Sequence, residues 1–228
     1  MRVRCYSFIV LLVSIILGTA ATPARGATLL NGGFETPLQT LGNYLLITPG
    51  NEPVGFDWIV VSGDVDISHL PVTPYVEYAA YEGVQALDLN GNTNGTIRQD
   101  FATQPGQAYL LSFAYADNPF AGGTSTASVA VTDVGTSGVL LSGNVSHSTS
   151  TNGPPPSADW QIFESYFTAT GPLTRLTFAS TSPDVSPSGG IVIDAVAVSL
   201  AVPEPATFGL ALVAAGGLTL ARIGQRKR

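Results

Sequence analysis

Cysteine is almost missing from this chain: the single one, Cys5, lies ahead of an apolar stretch at the start. Beyond residue 27 there is no thiol, which excludes a disulfide framework, a thiolate nucleophile and a cysteine metal site. Lysine is equally scarce, Lys227 being the only one. Of the nine Lys and Arg, only Arg98 and Arg175 fall within residues 28–201, against fifteen of the sixteen Asp and Glu, a formal charge of about −13. A domain so acidic repels nucleic acid and anionic lipid, and has oxygen ligands available for divalent cations. The two histidines, His69 and His147, stand in no metal spacing, and no Gly-x-Ser-x-Gly occurs. No catalytic arrangement is legible. Paired carboxylates for glycoside hydrolysis are defined by spatial spacing, so a hydrolase remains a third reading. The middle of the chain also lacks any apolar pattern of helical period.

Long apolar runs occur only at the two ends. Arg2 and Arg4 precede Tyr6 to Leu17, followed by small residues. A positive region and a short apolar run make residues 1–27 a secretory signal peptide, with cleavage expected after Ala21, Gly26 or Ala27. Residues 206–221 carry no charge, and Arg222, Arg226, Lys227 and Arg228 close the chain. A helix from Pro205 to Ala221 would run roughly 26 Å, enough to cross a bilayer core. Its basic end belongs in the cytoplasm. Val202-Pro203-Glu204-Pro205 before it is stiff, since proline fixes its own φ and keeps the preceding residue out of the helical region.

Residues 28–201 form one domain with a sizeable core. Their signal is alternation. Tyr109, Leu111, Phe113 and Tyr115 share one face of a strand. Trp160 to Phe167 is bulky on both faces in part and reads as a central strand. Leu176 and Phe178 alternate with polar neighbours, and Ile191 to Val198 is nearly continuous. Further short runs span 56–61, 65–70, 84–89, 96–101, 127–132 and 139–141. About ten short strands separated by Gly, Pro, Asn, Asp and Ser predict an all-β fold, a single jelly-roll-like β-sandwich. Trp58 and Trp160 are expected in its core. Two stretches read as loops: residues 70–82, with three tyrosines, two prolines and two glutamates, and the Ser/Thr/Asn/Pro-rich 142–159, expected to be exposed and of low order. His147 in the latter is expected to be solvated, and His69 to sit at a rim.

The tail, with Val202-Pro203-Glu204-Pro205, an apolar helix and a terminal Arg/Lys cluster in that order, resembles the PEP-CTERM sorting signal of Gram-negative bacteria that make extracellular polysaccharide. The resemblance implies recognition by an exosortase, a membrane protease or transpeptidase acting near Pro-Glu-Pro. It also implies transient anchoring in the inner membrane, then delivery to the cell surface or extracellular matrix. A plain C-terminal anchor would share the helix and basic stop but needs no such motif. Residues 202–228 are assigned to this signal.

The body carries Asn31-Gly-Gly-Phe-Glu35, Trp58 to Asp66, Gly83-Val-Gln-Ala-Leu-Asp-Leu-Asn-Gly91, Gly95-Thr-Ile-Arg-Gln99, Pro105-Gly-Gln-Ala-Tyr109 and Gly190-Ile-Val-Ile-Asp-Ala-Val196. In this order it resembles the galactose-binding-like β-sandwich of choice-of-anchor bacterial surface proteins and, more distantly, plant cell-wall proteins of unknown function and carbohydrate-binding modules. At position 195 those modules more often carry Asn or Asp where this chain has Ala. The resemblance implies a structural Ca²⁺ shared by an acid of the opening segment and an aspartate of the closing strand, here Glu35 and Asp194. The other reading of Asp194 is a carboxylate satisfied by backbone N–H groups. For glycan contact the candidates are Tyr75, Tyr78 and Tyr81, because loops on a sandwich carry function; the same tyrosines would also serve to pack that loop on the sheet. The expected role is that of an exported surface or matrix protein, structural or adhesive, with a carbohydrate-binding module for exopolysaccharide as the alternative. The expected partners are the exosortase, extracellular polysaccharide and, before processing, the membrane; nucleic acid is not among them.

Overall fold

The computed structural model describes residues 27–71, 73, 78–120, 123–149, 159–183 and 189–201. The leader, Tyr75 and the tail from Val202 onward lie outside the described residues. Among these residues no helix is long and apolar enough to cross a membrane.

Eleven strands make up the described fold: β1 (Tyr44–Ile47), β2 (Ile59–Ser62), β3 (Val65–His69), β4 (Gln85–Asp88), β5 (Thr96–Ala102), β6 (Ala108–Asp117), β7 (Gly123–Asp133), β8 (Val139–Thr149), β9 (Gln161–Thr168), β10 (Leu173–Ser180) and β11 (Ile191–Leu200). They form a six-stranded sheet, order β1-β3-β4-β11-β6-β9, and a five-stranded sheet, order β2-β5-β10-β7-β8. All pairings are antiparallel. The all-β sandwich predicted from alternation is the observed architecture.

The inward faces follow the period-two rule. Val65 and Ile67, Leu87 and Leu89, Tyr109, Leu111 and Phe113, and Ile191 and Ile193 meet Ile97, Phe101, Val129, Val131, Leu176 and Phe178 from the other sheet. Aromatic contacts run through this interior: Phe113 lies edge-on to Phe178 at 4.9 Å and stacks on Phe163 at 4.8 Å. Trp58, 1 % exposed, packs between Phe34 and Phe178.

The opening motif is shaped by this core. Asn31 and Phe34 take positive φ, a region Asn visits more readily than most residues. The Asn31 amide donates to the carbonyls of Thr36 and Phe56, and the Trp58 indole N–H donates to the Asn31 carbonyl. Gly32 lies against β11; a Cβ there would come within 2.0 Å of the Val196 carbonyl oxygen. Two buried glutamines, one on each sheet, hold the segment. Gln85 accepts from Gln39 N and donates to the Phe34 carbonyl. Gln99 accepts from Leu30 N and donates to the carbonyls of Leu30 and Asp57.

Several local expectations are corrected. The stretch 142–149, expected in a loop, continues β8 in register with β7, because long-range pairing outweighs its Ser-rich composition. His147 is therefore buried: its Nδ1 accepts from Asp117 N at 3.2 Å, and its Nε2 lies 2.8 Å from the Asp159 carbonyl. β9 is an edge strand rather than a central one. Trp160, just before it, is half-buried outside the core. β1, with its short YLLI run, had no distinct sequence signal.

Candidate functional site

The outward face of the six-stranded sheet is built of small residues at its centre. The register places Asp194 opposite Ala114 and Ala114 opposite Ile162, while Asp88 stands opposite Val192 and Val192 opposite Ala116. Although they point away from the core, Ala86, Ala114 and Ala116 are buried. The chain after β3 covers them. Tyr78 is 2 % exposed and donates from its hydroxyl to the Asp117 carbonyl at 2.9 Å. Burial, with Asp88 and Asp117 nearby, raises its phenol well above the ordinary tyrosine value. A shallow recess remains beside it, lined by Ser68, Ala86, Asp88, Asn118 and Phe120. Tyr78 thus fastens the loop, the packing role its sequence also allowed.

Tyr81 behaves differently: it is 50 % exposed and lies edge-on to Trp160, ring centroids 6.1 Å apart. The Trp160 indole N–H donates to the Ala79 carbonyl at 3.0 Å, and its ring also contacts Tyr78 at 6.3 Å. Two aromatic rings are therefore held at the surface by hydrogen bonds and by a rigid sheet. Ile162 and the exposed Tyr166 continue the same face along β9. Sequence reasoning placed Trp160 inside; nothing local distinguishes an edge-strand tryptophan from a core one.

The two predicted metal residues both lie near Gly33. Asp194 is fully buried beside a bulge in β11, where the next residue, Ala195, takes φ +51°. Asn or Asp would tolerate that conformation better than Ala. Asp194 Oδ2 accepts from Tyr81 N and Glu82 N, and Oδ1 from Ala195 N at 2.6 Å. Its carboxyl is nonetheless pushed up to about 7, chiefly by burial, against these hydrogen bonds and with the Glu82 charge adding to the rise. Glu35 Oε1 accepts from Val84 N and Gln85 N. A Cβ at Gly33 would stand 2.9 Å from Glu82 Oε1 and 3.8 Å from both Asp194 Oδ1 and Glu35 Cγ. Glu82 and Asp194 thus show oxygens to Gly33, whereas Glu35 shows it a methylene and turns its Oε1 to the backbone of Val84 and Gln85. The all-oxygen chemistry of these acids suits a hard cation such as Ca²⁺. Among the described residues no three acidic, His or Cys side chains stand together as a ready metal cluster, so carbonyl oxygens would have to complete a shell.

A second acidic feature was not anticipated. Asp88, fully enclosed, is pushed up to about 7 by burial, and Asp66 to about 6 by burial and the Asp64 charge.

The family model described as "Protein of unknown function (DUF642)" matches residues 27–199. No curated protein matches the sequence. Solved structures similar to the chain include TmCBM61 in complex with β-1,4-galactotriose, at 16% identity over 75% of this chain and 95% of that one, TM-score 0.45. The CBM22-1 xylan-binding domain of Xyn10C from Paenibacillus barcinonensis matches at 13% identity over 73% and 99%, TM-score 0.42. A CBM4 structure matches at 14% identity over 75% and 98%, TM-score 0.40. Each is a carbohydrate-binding-module β-sandwich, and no residue correspondence follows from any of them.

Proposed function

The chain belongs to the DUF642 family, and we propose that its sandwich is a carbohydrate-binding domain whose sugar platform is Tyr81 with Trp160. The observation that carries this reading is the aromatic pair of an exposed Tyr81 and a half-buried Trp160, pinned to the outer sheet face by the Trp160–Ala79 and Tyr81–Asp194 hydrogen bonds. The apolar face of a pyranose ring stacks on such rings, and a platform ordered before binding spends little entropy in doing so. The small central residues and the Tyr78 anchor keep the platform at a fixed height. No group in this reading breaks a bond; it is a binding role.

The exported location belongs to the same proposal. A signal-peptide-like start and a tail resembling an exosortase sorting signal, centred on Val202-Pro203-Glu204-Pro205, would deliver the domain to the cell surface or polysaccharide matrix, where a glycan-binding domain serves adhesion. A structural Ca²⁺ held partly by Glu35 and Asp194, with carbonyl oxygens completing its shell, would tie the opening loop to β11.

Calorimetry of the full chain against a panel of neutral oligosaccharides tests the central claim. Tyr81→Ala and Trp160→Ala should each weaken binding about tenfold. Undiminished binding by the double variant, or none by the wild type across the panel, overturns the platform.

A further inference from the structure

We propose that the sugar-binding line runs on from the Tyr81–Trp160 pair along β9 to Tyr166, a second stacking station, so that the domain takes an extended, uncharged, linear glycan rather than a single terminal sugar. This rests on the carbohydrate-binding reading above and adds the length and form of the ligand. Tyr166 is 67 % exposed, although Phe163 and Phe167 of the same strand pack on the core. Register sets it outward with Ile162 and Glu164: Ile162 stands opposite Ala114, Glu164 opposite Ser112 and Tyr166 opposite Leu110. Trp160 lies one alternation before Ile162 and comes to the same face, where its ring meets Tyr78 and Tyr81. Six residues separate Trp160 from Tyr166, about 20 Å at roughly 3.3 Å per residue, or the span of about four linked pyranose rings.

The ground between the two stations is low. Next to β9 lie Ala114, Ser112 and Leu110 on β6, and beyond them Asp194, Ala197 and Ser199 on β11. Ala114 and Asp194 are buried, while Ala197 and Ser199 are exposed. A ribbon-shaped sugar chain can therefore lie on this face, with ring faces on Tyr81 and Trp160 at one end and on Tyr166 at the other. Its hydroxyls then run beside Ser112, Ser199 and the Glu164 carboxylate. A second copy of the chain fits this edge poorly. Glu164 is near the middle of β9, so two-fold edge pairing would bring it close to its own copy, and charge so placed protects a sheet edge. The formal charge of about −13 over residues 28–201 opposes self-association further.

The test is calorimetry of the full chain with neutral β-1,4-linked glucose, mannose and galactose oligomers of two to six rings. For an oligomer that binds, affinity should climb to about four rings and then level off. Tyr166→Ala should weaken hexamer binding about tenfold, to the level of the trimer, and leave the trimer unchanged. The variant should melt with the wild type, since it loses an exposed ring. Affinity that is flat from two rings to six, or hexamer binding untouched by Tyr166→Ala, overturns the second station and leaves the platform standing. An equal loss for trimer and hexamer shows a disturbed platform and overturns the second station too. Sedimentation that finds a wild-type dimer and a Tyr166→Ala monomer assigns the edge to a second copy and overturns it as well. No binding at any length overturns the platform, and this inference with it.

Discussion

Asp66 and Asp88 face each other directly across β3 and β4, two carboxylates in register on the same sheet face. Asp66 has Leu46 on its other side and Asp88 has Val192. Another acid, Asp64, adds its charge to the rise at Asp66. Asp88 receives N–H donors from Asn90 and Asn118, whereas Asp66 Oδ1 is buried with no hydrogen-bond partner. Like charges opposed in a ladder are destabilising, and both carboxyls hold their protons more tightly folded than unfolded.

The pH dependence follows in sign. An aspartate raised from 3.8 to about 6 or 7 binds more protons in the native state across that window, so stability falls as pH rises through it. The melting temperature should therefore be higher near the low end of the window than above its top. Asp66→Asn should raise stability above the window by about 1–3 kcal/mol and change little below it. Denaturant melts of wild type and variant at the two ends decide this; a variant equally stable to wild type at both refutes the opposed-charge account.

Tyr78 and Tyr81 should separate cleanly. Tyr78→Ala removes a buried ring and a buried hydroxyl bond and should cost about 3–5 kcal/mol. Tyr81→Ala should cost under about 1 kcal/mol while reducing glycan affinity. Thermal melts and calorimetry on the same preparations check both; a reversed pattern would mean that the loop sits otherwise.

Gly32→Ala would drive a methyl group to within 2.0 Å of the Val196 carbonyl, in a place where backbone meets backbone. A loss of about 3 kcal/mol or more, or failure to accumulate folded protein, is expected. Gly106→Ala, with no neighbour within 4 Å but φ +80°, should cost only about 1 kcal/mol.

Calcium should raise the melting temperature of the wild type relative to chelator, by the stabilisation that a native-state ligand confers. Asp194→Asn keeps the size of the side chain and should abolish the difference. Identical wild-type melts with Ca²⁺ and with chelator would remove the metal and leave Asp194 as a carboxylate held by backbone N–H groups alone.

The tail carries its own outcome. Protein recovered from the surface or matrix of its native host should lack the residues after about Pro205, and intact mass reads this directly. A mass that includes Arg226-Lys227-Arg228 would show a plain anchor.

Alternation along the chain was enough to determine most of the strands and the all-β sandwich, because a period of two is written locally by the pleat and needs no knowledge of partners. The acidity of residues 28–201 is likewise a property of composition, and the opening Asn31-Gly-Gly-Phe-Glu35 could be singled out as a motif. What the tertiary structure decided is which strands became neighbours and which faces were then covered. Ser142 to Thr149 looked like loop and became strand because β7 offered a partner along its whole length. Trp160 looked like core and came to the surface because β9 closes an edge of its sheet. Tyr78 and Tyr81, three residues apart in one polar loop, parted because one ring found the small residues of the sheet beneath it and the other found only Trp160. Asp66 and Asp88, twenty-two positions apart, oppose each other solely through strand register, which depends on the packing of both sheets at once and leaves no trace in either local sequence.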